Sequence, residues 1–453
     1  MAVQAPSRVE ELQAVVQKSM KEHRIPGAAV GIINGDEEIV EAFGVTSVDH
    51  PVPVTPETLF LIGSTTKTVT GLMAMKLVEE GKLSLDEPVR TYIPDLQVGD
   101  PEAVGNITLR HLLTHTGGFD GDYFCDFGRG DDALKRAVES MKSLSQIGPT
   151  GELWSYCNSG FYIVGRLIEI MTGETYEAAA RRMVFEPIGL KSSYYFPEEV
   201  MTYLFAVGHS ITDDAVKTAR PWGLPRVSYP PGGIISTIPD NLKYARFLMG
   251  DGTGENGNSV VRQETLELMR APAVRSSLDE WMGLTWFSRD HDGVRIYHHG
   301  GTVIGQVSSF AFVPDETFAL AVLTNGNKRE LLTDVTKWAY KTYLGVEDPK
   351  AEGREPTAAE AEALAGRYES LTTVMELKVE NGALLLHLQP KPEALRLMAD
   401  PPPPPPPMRL GVSRADRVIF LDGPLKDTEG EIVQSRDGQN WLRLGLRLHR
   451  RIQ

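Results

Sequence analysis

The chain is poor in cysteine: among its 453 residues there are two, Cys125 and Cys157. So small a supply excludes a disulfide-stapled scaffold, and both are read as buried free thiols. It is also short of positive charge. The 46 Lys+Arg against 61 Asp+Glu leave a formal net charge of -15. Nucleic acid and anionic membrane faces are both held through concentrated positive charge, so neither is expected as a partner. No run approaches the ~18 consecutive apolar residues of a membrane span. The opening segment, MAVQAPSRVEELQAVVQ, lacks a basic stretch followed by an apolar one. No signal peptide is read there, and a cytoplasmic location is the expectation.

What is present is ample apolar material, 41% of a chain too long for one ordinary domain. The negative charge is unevenly spread. From residue 355 onward 13 basic side chains nearly balance 14 acidic ones, so almost all the excess falls on the first 354 residues. A boundary is expected there: a first domain over 1–350, a polar Ala/Glu-rich linker over 351–363, and a second domain over 364–453.

In the first domain, Val9, Leu12, Val15, Val16 and Met20 fall at helical spacing over residues 8–23, and Pro26-Gly27 ends the pattern. The strand AAVGII follows, then Asn34-Gly35, then the strand EEIVEAFG, a hairpin signal. From about 64 to 230 the pattern is helical and rich in loops, with helices predicted near 108–115, 132–143, 158–172 and 175–183. Further helices are predicted at 239–249, 262–270 and 330–344. Strands return as GLTWFS, VRIYHH, VSSFAFV and FALAVLTN. Strands at both ends with helices between them predict an α/β fold: one antiparallel sheet flanked by helices, with an α-helical lobe and a cleft where they meet.

Beyond the linker the periodicity is that of strands. MELKVENGALLLHLQ carries a turn at Asn381-Gly382, and RADRVIFLDG and EGEIVQS follow. WLRLGLRLH reads as one strand with Leu442, Leu444, Leu446 and Leu448 on a single face. A small β-barrel is expected, with Pro401–Pro407 as a solvated polyproline II loop.

Three segments carry residues with chemistry. In LIGSTTKTVT, Ser64 and Lys67 are three apart at a helix start, hence on one face about a turn apart. A serine hydroxyl needs a neighbouring base, and a lysine in a dry cleft can supply it. In LWSYCNSGFYIVG, Tyr156 can exchange protons beside a lysine, and Asn158 offers a donor and an acceptor to an amide. At the end of VRIYHH, His298-His299-Gly300-Gly301 joins a polar side chain to glycines that allow close backbone approach. His111 and His115 have i, i+4 spacing but no H-E-x-x-H, so neither a metal nor another cofactor is expected.

Taken together, the three segments resemble the penicillin-recognising serine hydrolases, closest to class C β-lactamases and their esterase and D-peptidase relatives. That family combines S-x-x-K, Y-x-N and K-T-G or H-x-G in this chain order, and the resemblance covers roughly residues 8–345. HLLTHTGGF at 111–119 and PGGIISTIPD at 231–240 are further landmarks. The resemblance implies Ser64 as the acylated nucleophile, with Lys67 and Tyr156 sharing proton transfer and Asn158 orienting a substrate amide. His298 would stand in place of the K-T-G lysine, and the amides of Ser64 and Gly301 would form an oxyanion hole. The register His299-Gly300-Gly301 is left open. A histidine there makes efficient β-lactam hydrolysis less expected than hydrolysis of a small ester or a D-residue peptide. An acyl transferase or peptide cyclase, or a non-catalytic binder of peptides or cell-wall fragments, is the alternative. The second domain resembles the lipocalin-like appendage of some members, and a homo-oligomer is left open. The acidic surface favours neutral or cationic substrates.

Overall fold

In the computed structural model the described residues are 6–277, 279–347, 351–395, 404–414, 416–423 and 425–452. Helix α1 (Arg8–His23) starts at a capping box in which Ser7 and Glu10 satisfy each other's backbone donors. It leads into strand β1 (Gly27–Asn34), which pairs with β2 (Glu37–Gly44) across a two-residue turn at Gly35 and Asp36.

The remaining strands of this sheet come from the far end of the first domain: β3 (Val274–Ser277), β4 (Glu280–Met282), β5 (Phe287–His291), β6 (Val294–Val303), β7 (Gln306–Val313) and β8 (Phe318–Thr324). The order is β2-β1-β8-β7-β6-β5-β4-β3, antiparallel throughout. Both ends of the domain thus meet at the β1–β8 pair, where every residue of β8 is buried. On one face Leu12 and Val16 of α1 pack with Leu331, Leu332 and Val335 of a C-terminal helix, Glu330–Ala339. The other face carries the larger core, shared with α2 (Thr66–Glu79), α3 (Ser159–Thr172), α4 (Ile238–Met249) and the helical lobe. Both cysteines are free; Cys157 is buried, whereas Cys125, expected to be buried, is only half-buried.

The segment expected as a linker carries structure. Arg354 pairs with Val412 through its backbone, and Thr357 caps a short helix, Ala358–Leu364. Eight strands then close into a barrel: β9 (Gly366–Glu369), β10 (Thr373–Glu380), β11 (Ala383–Pro390), β12 (Met408–Arg414), β13 (Arg417–Phe420), β14 (Glu429–Gln434), β15 (Asn440–Leu444) and β16 (Arg447–Arg451). β9 and β16 make the closing pair. Asn381 and Gly382 both take positive φ in the β10–β11 turn, the geometry that an Asn-Gly hairpin favours. The interior is filled by side chains, Tyr368, Leu384, Leu386, Phe420 and Leu442 among them. Of the proline run, residues 404–407 are exposed and irregular; Pro401 to Pro403 lie outside the described residues.

WLRLGLRLH is not one strand. It breaks at Gly445-Leu446 into the hairpin β15–β16, with Leu444 opposite Arg447. Folding back reverses the parity of the faces. Leu442 and Leu444 enter the barrel core, whereas Leu448 packs outside with Leu153 and Trp441. Leu446, at φ 68, holds a left-handed conformation that costs a branched residue roughly 1–2 kcal/mol. Phe420→Ala should lower the opening free energy of the barrel amides by about 3–5 kcal/mol, read by native-state hydrogen exchange.

Candidate active site

Ser64 lies in a tight turn, Gly63–Thr65, that runs straight into α2. The turn is pressed against β6. A Cβ on Gly63 would sit 2.9 Å from Thr302 N, and one on Gly301 only 2.0 Å from Ile62 O. Glycine at both positions is what allows this contact. Ser308 of β7 fastens the turn by donating to Ile62 O at 2.7 Å.

Lys67 follows one turn along α2 and is fully buried. Its Nζ lies 3.1 Å from Ser64 Oγ, 2.7 Å from Asn158 Oδ1 and 2.7 Å from Pro231 O. Burial first, and then the nearby Arg447 cation, push its pKa well below the ordinary lysine value. Tyr156 stands beside it, with Lys67 Nζ 4.8 Å and Arg447 Cζ 4.7 Å from its ring centroid. Burial pushes the phenol pKa up, against a hydrogen bond with Ser64, so the hydroxyl keeps its proton.

Asn158 occupies the N-cap position of α3 but does not cap it. Its Oδ1 accepts from Lys67, and its Nδ2 donates to Asp122 Oδ1 at 3.0 Å. Asp122 in turn receives Arg447 bidentately, Nε to Oδ2 and Nη2 to Oδ1, both at 2.9 Å. Burial acts to raise the Asp122 pKa, but Arg447 and Asn158 outweigh it and hold the carboxyl below its usual range. Arg447 comes from the barrel. The same hairpin is tied down by Tyr156 N donating to Leu446 O at 2.9 Å and Leu448 N donating to Ser155 Oγ at 3.2 Å.

The two histidines of β6 have different surroundings. His299 is 2% exposed, its ring lies 6.3 Å from that of Tyr156, and its Nδ1 is 2.8 Å from Gly300 O. Its Nε2 is buried with no hydrogen-bond partner among the described residues. Burial, then Lys67, bring its pKa down to about 3, so the ring is neutral. His298 turns to Glu280, with Nε2 at 3.2 Å from Oε1, and stacks on Phe287. His115 serves the frame: it stacks on Tyr156 at 4.5 Å, and its Nδ1 accepts from Cys157 N. His111 Nδ1 accepts from Thr108 N. Among the described residues no group of three or more His, Cys, Asp or Glu is placed to hold a metal.

Ser64, Tyr156, Asn158, His298, Gly300 and Gly301 all line one cavity of about 390 Å³, with Lys67 behind Ser64. Asp122, Arg329 and Arg447 escaped the sequence reading. Arg447 lies 325 positions from its partner Asp122, so no local spacing could announce the pair. Arg329 lines the cavity and donates to Thr302 Oγ1 at 2.9 Å; among the described residues it has no carboxylate partner.

Two outcomes follow. Arg447→Gln removes a cation that disfavours the Lys67 ammonium and leaves Asp122 to favour it, so the Lys67 pKa must rise. The acidic limb of the pH profile for acylation of Ser64 should then move to higher pH. Gly301→Ala should slow Ser64 labelling by a fluorophosphonate on the order of 10²-fold, because the strand must retreat from the turn. Circular dichroism should show the fold retained.

Comparisons with known proteins identify the family and the fold. The family model described as Beta-lactamase matches residues 12–341. Penicillin-binding protein 4 of Amycolatopsis lactamdurans is 35% identical over 361 residues, covering 77% of this chain and 94% of that protein. Unguisins hydrolase ungD' of Aspergillus campestris is 26% identical over 333 residues, covering 70% of this chain and 61% of that protein. The crystal structure of SurE with D-Leu aligns over 98% of this chain and 99% of its own, with a TM-score of 0.78 at 21% identity. That last likeness extends the shared fold through the barrel. The chain belongs to the beta-lactamase family.

Proposed function

We propose that the chain is a serine hydrolase that passes through an acyl-Ser64 intermediate, acting on the amide bonds of D-residue peptides or on small carboxylic esters. The observation that carries this reading is the contact between a fully buried Lys67 Nζ and Ser64 Oγ at 3.1 Å. A neutral lysine has two N–H groups and one lone pair. Asn158 Oδ1 and Pro231 O take the two N–H groups, which leaves the lone pair for the Ser64 proton.

Ser64 Oγ attacks the substrate carbonyl as Lys67 takes its proton. The developing oxyanion is met by the amide of Ser64 and, in place of the Gly301 amide that the resemblance implied, by that of Thr302, the β6 nitrogen that lies nearest a Cβ built on Gly63. Tyr156, still protonated beside Lys67 and Ser64, gives its hydroxyl proton to the leaving group and recovers one from the Lys67 ammonium, so that both groups end as they began; water then releases the acyl group by the reverse path. Asn158 is committed to Lys67 and Asp122, so its first task is to hold the base and only its remaining N–H is left for substrate. The resemblance gave the place of the K-T-G lysine to His298; the neutral His299, 6.3 Å from the Tyr156 ring, supports the register His299-Gly300-Gly301 instead.

Arg329 alters the substrate argument. A histidine in place of the K-T-G lysine made efficient β-lactam hydrolysis the less expected activity. Arg329 supplies a permanent cation at the cavity wall, beside Thr302, so a carboxylate next to the scissile bond has a guanidinium to meet. A relative named an unguisins hydrolase fits a hydrolytic role for this centre.

Ser64→Ala should lower turnover of p-nitrophenyl esters and D-aminoacyl anilides at least about 10³-fold. Mass spectrometry should find the acyl adduct on the Ser64 peptide of the wild type. Retention of full activity by the variant overturns the reading.

A further inference from the structure

The cavity carries opposite charges on the two flanks of β6. Arg329 stands on one side. On the other, Glu280 of β4 lines the same cavity as Ser64, and its side chain is 22% exposed. Three acidic residues meet this region, and they are differently matched. Asp122 is taken up bidentately by Arg447. Asp279 is held by Arg417 of the barrel at 2.9 Å, with Arg414 at 3.7 Å. Glu280 is paired instead to the imidazole of His298, at 3.2 Å, and among the described residues to no guanidinium in a bidentate contact of that kind.

Burial acts to raise the Glu280 pKa, but the hydrogen bond and charge of His298, with the fields of Arg289 and His291, outweigh it and leave the group lowered. The carboxylate is therefore ionised at neutral pH. The bond to His298 engages Oε1, and a carboxylate accepts several donors. Phe287 stacks on the same His298, with ring centroids 5.5 Å apart, and lines the same cavity. A carboxylate next to an aromatic ring is the environment that attracts an organic ammonium.

We propose that Glu280 and Phe287 form a subsite for an ammonium group carried by the substrate, an α-amino group or a short basic side chain. The subsite selects cationic over neutral substrates at the Ser64 centre. It rests on the acyl-Ser64 reading and adds the charge that the substrate bears.

The test compares two fluorophosphonates of equal length, one ending in a primary ammonium (aminobutyl) and one in a hydroxyl (hydroxybutyl). The second-order rate of Ser64 labelling is measured with each at neutral pH. Wild type should react about tenfold faster with the ammonium probe. Glu280→Gln should bring the ratio close to one, and Glu280→Asp, which keeps the charge a methylene further back, should retain part of the preference. Equal rates in wild type overturn the subsite, as does a preference that survives in Glu280→Gln, since the overall negative charge would then explain it. Failure of both probes to label Ser64 overturns the acyl-enzyme reading itself, an outcome distinct from equal labelling.

Discussion

Everything in the site turns on a lysine buried without a carboxylate bonded to it. An ammonium in so dry a place is costly, and a neutral amine is what the surroundings favour. Lys67 has the partners a neutral amine needs: two acceptors, Asn158 Oδ1 and Pro231 O, and one hydroxyl, Ser64. Arg447, placed across the Tyr156 ring, adds a positive field that pushes the same way. Asp122 opposes it but is largely matched by Arg447.

This constraint joins the barrel to the sheet-and-helix part of the chain. A barrel that served only as an appendage would leave the cavity intact without it. Here the β15–β16 hairpin supplies Leu446 and Arg447 to the cavity wall, and its backbone bonds to Ser155 and Tyr156 fix both. Leu446 is held in a left-handed conformation at the hairpin tip, a local cost that the contacts around Trp154, Tyr156 and Phe287 offset. The Asp279 contact with Arg417 makes a second join, one residue from Glu280. Barrel and cavity are thus connected on two sides.

Much of the fold was legible because its signals are local. Helix periodicity, the Asn381-Gly382 turn and the strands at both ends of the first domain depend on near neighbours and hydrophobic alternation. The Ser64 and Lys67 pair was legible for the same reason, the two being three residues apart where a tight turn runs into α2. Alternation misled in WLRLGLRLH, where a two-residue turn interrupts the strand without disturbing the sequence pattern; Gly445 was the available clue, because glycine takes the positive φ of such a turn. Asp122, Arg329, Glu280 and Arg447 left no trace, since each acts through partners brought close only by tertiary folding. The different surroundings of His298 and His299 were equally beyond the sequence, as they depend on which partners each face of β6 meets.

The most direct measurement is an NMR titration of the Lys67 side chain in protein labelled with ¹³C at the lysine ε position, assigned with Lys67→Arg. A titration midpoint far below that of the other lysines, with a neutral amine at the pH of activity, is the result this account predicts. A midpoint near the ordinary lysine value of 10.5 would contradict it.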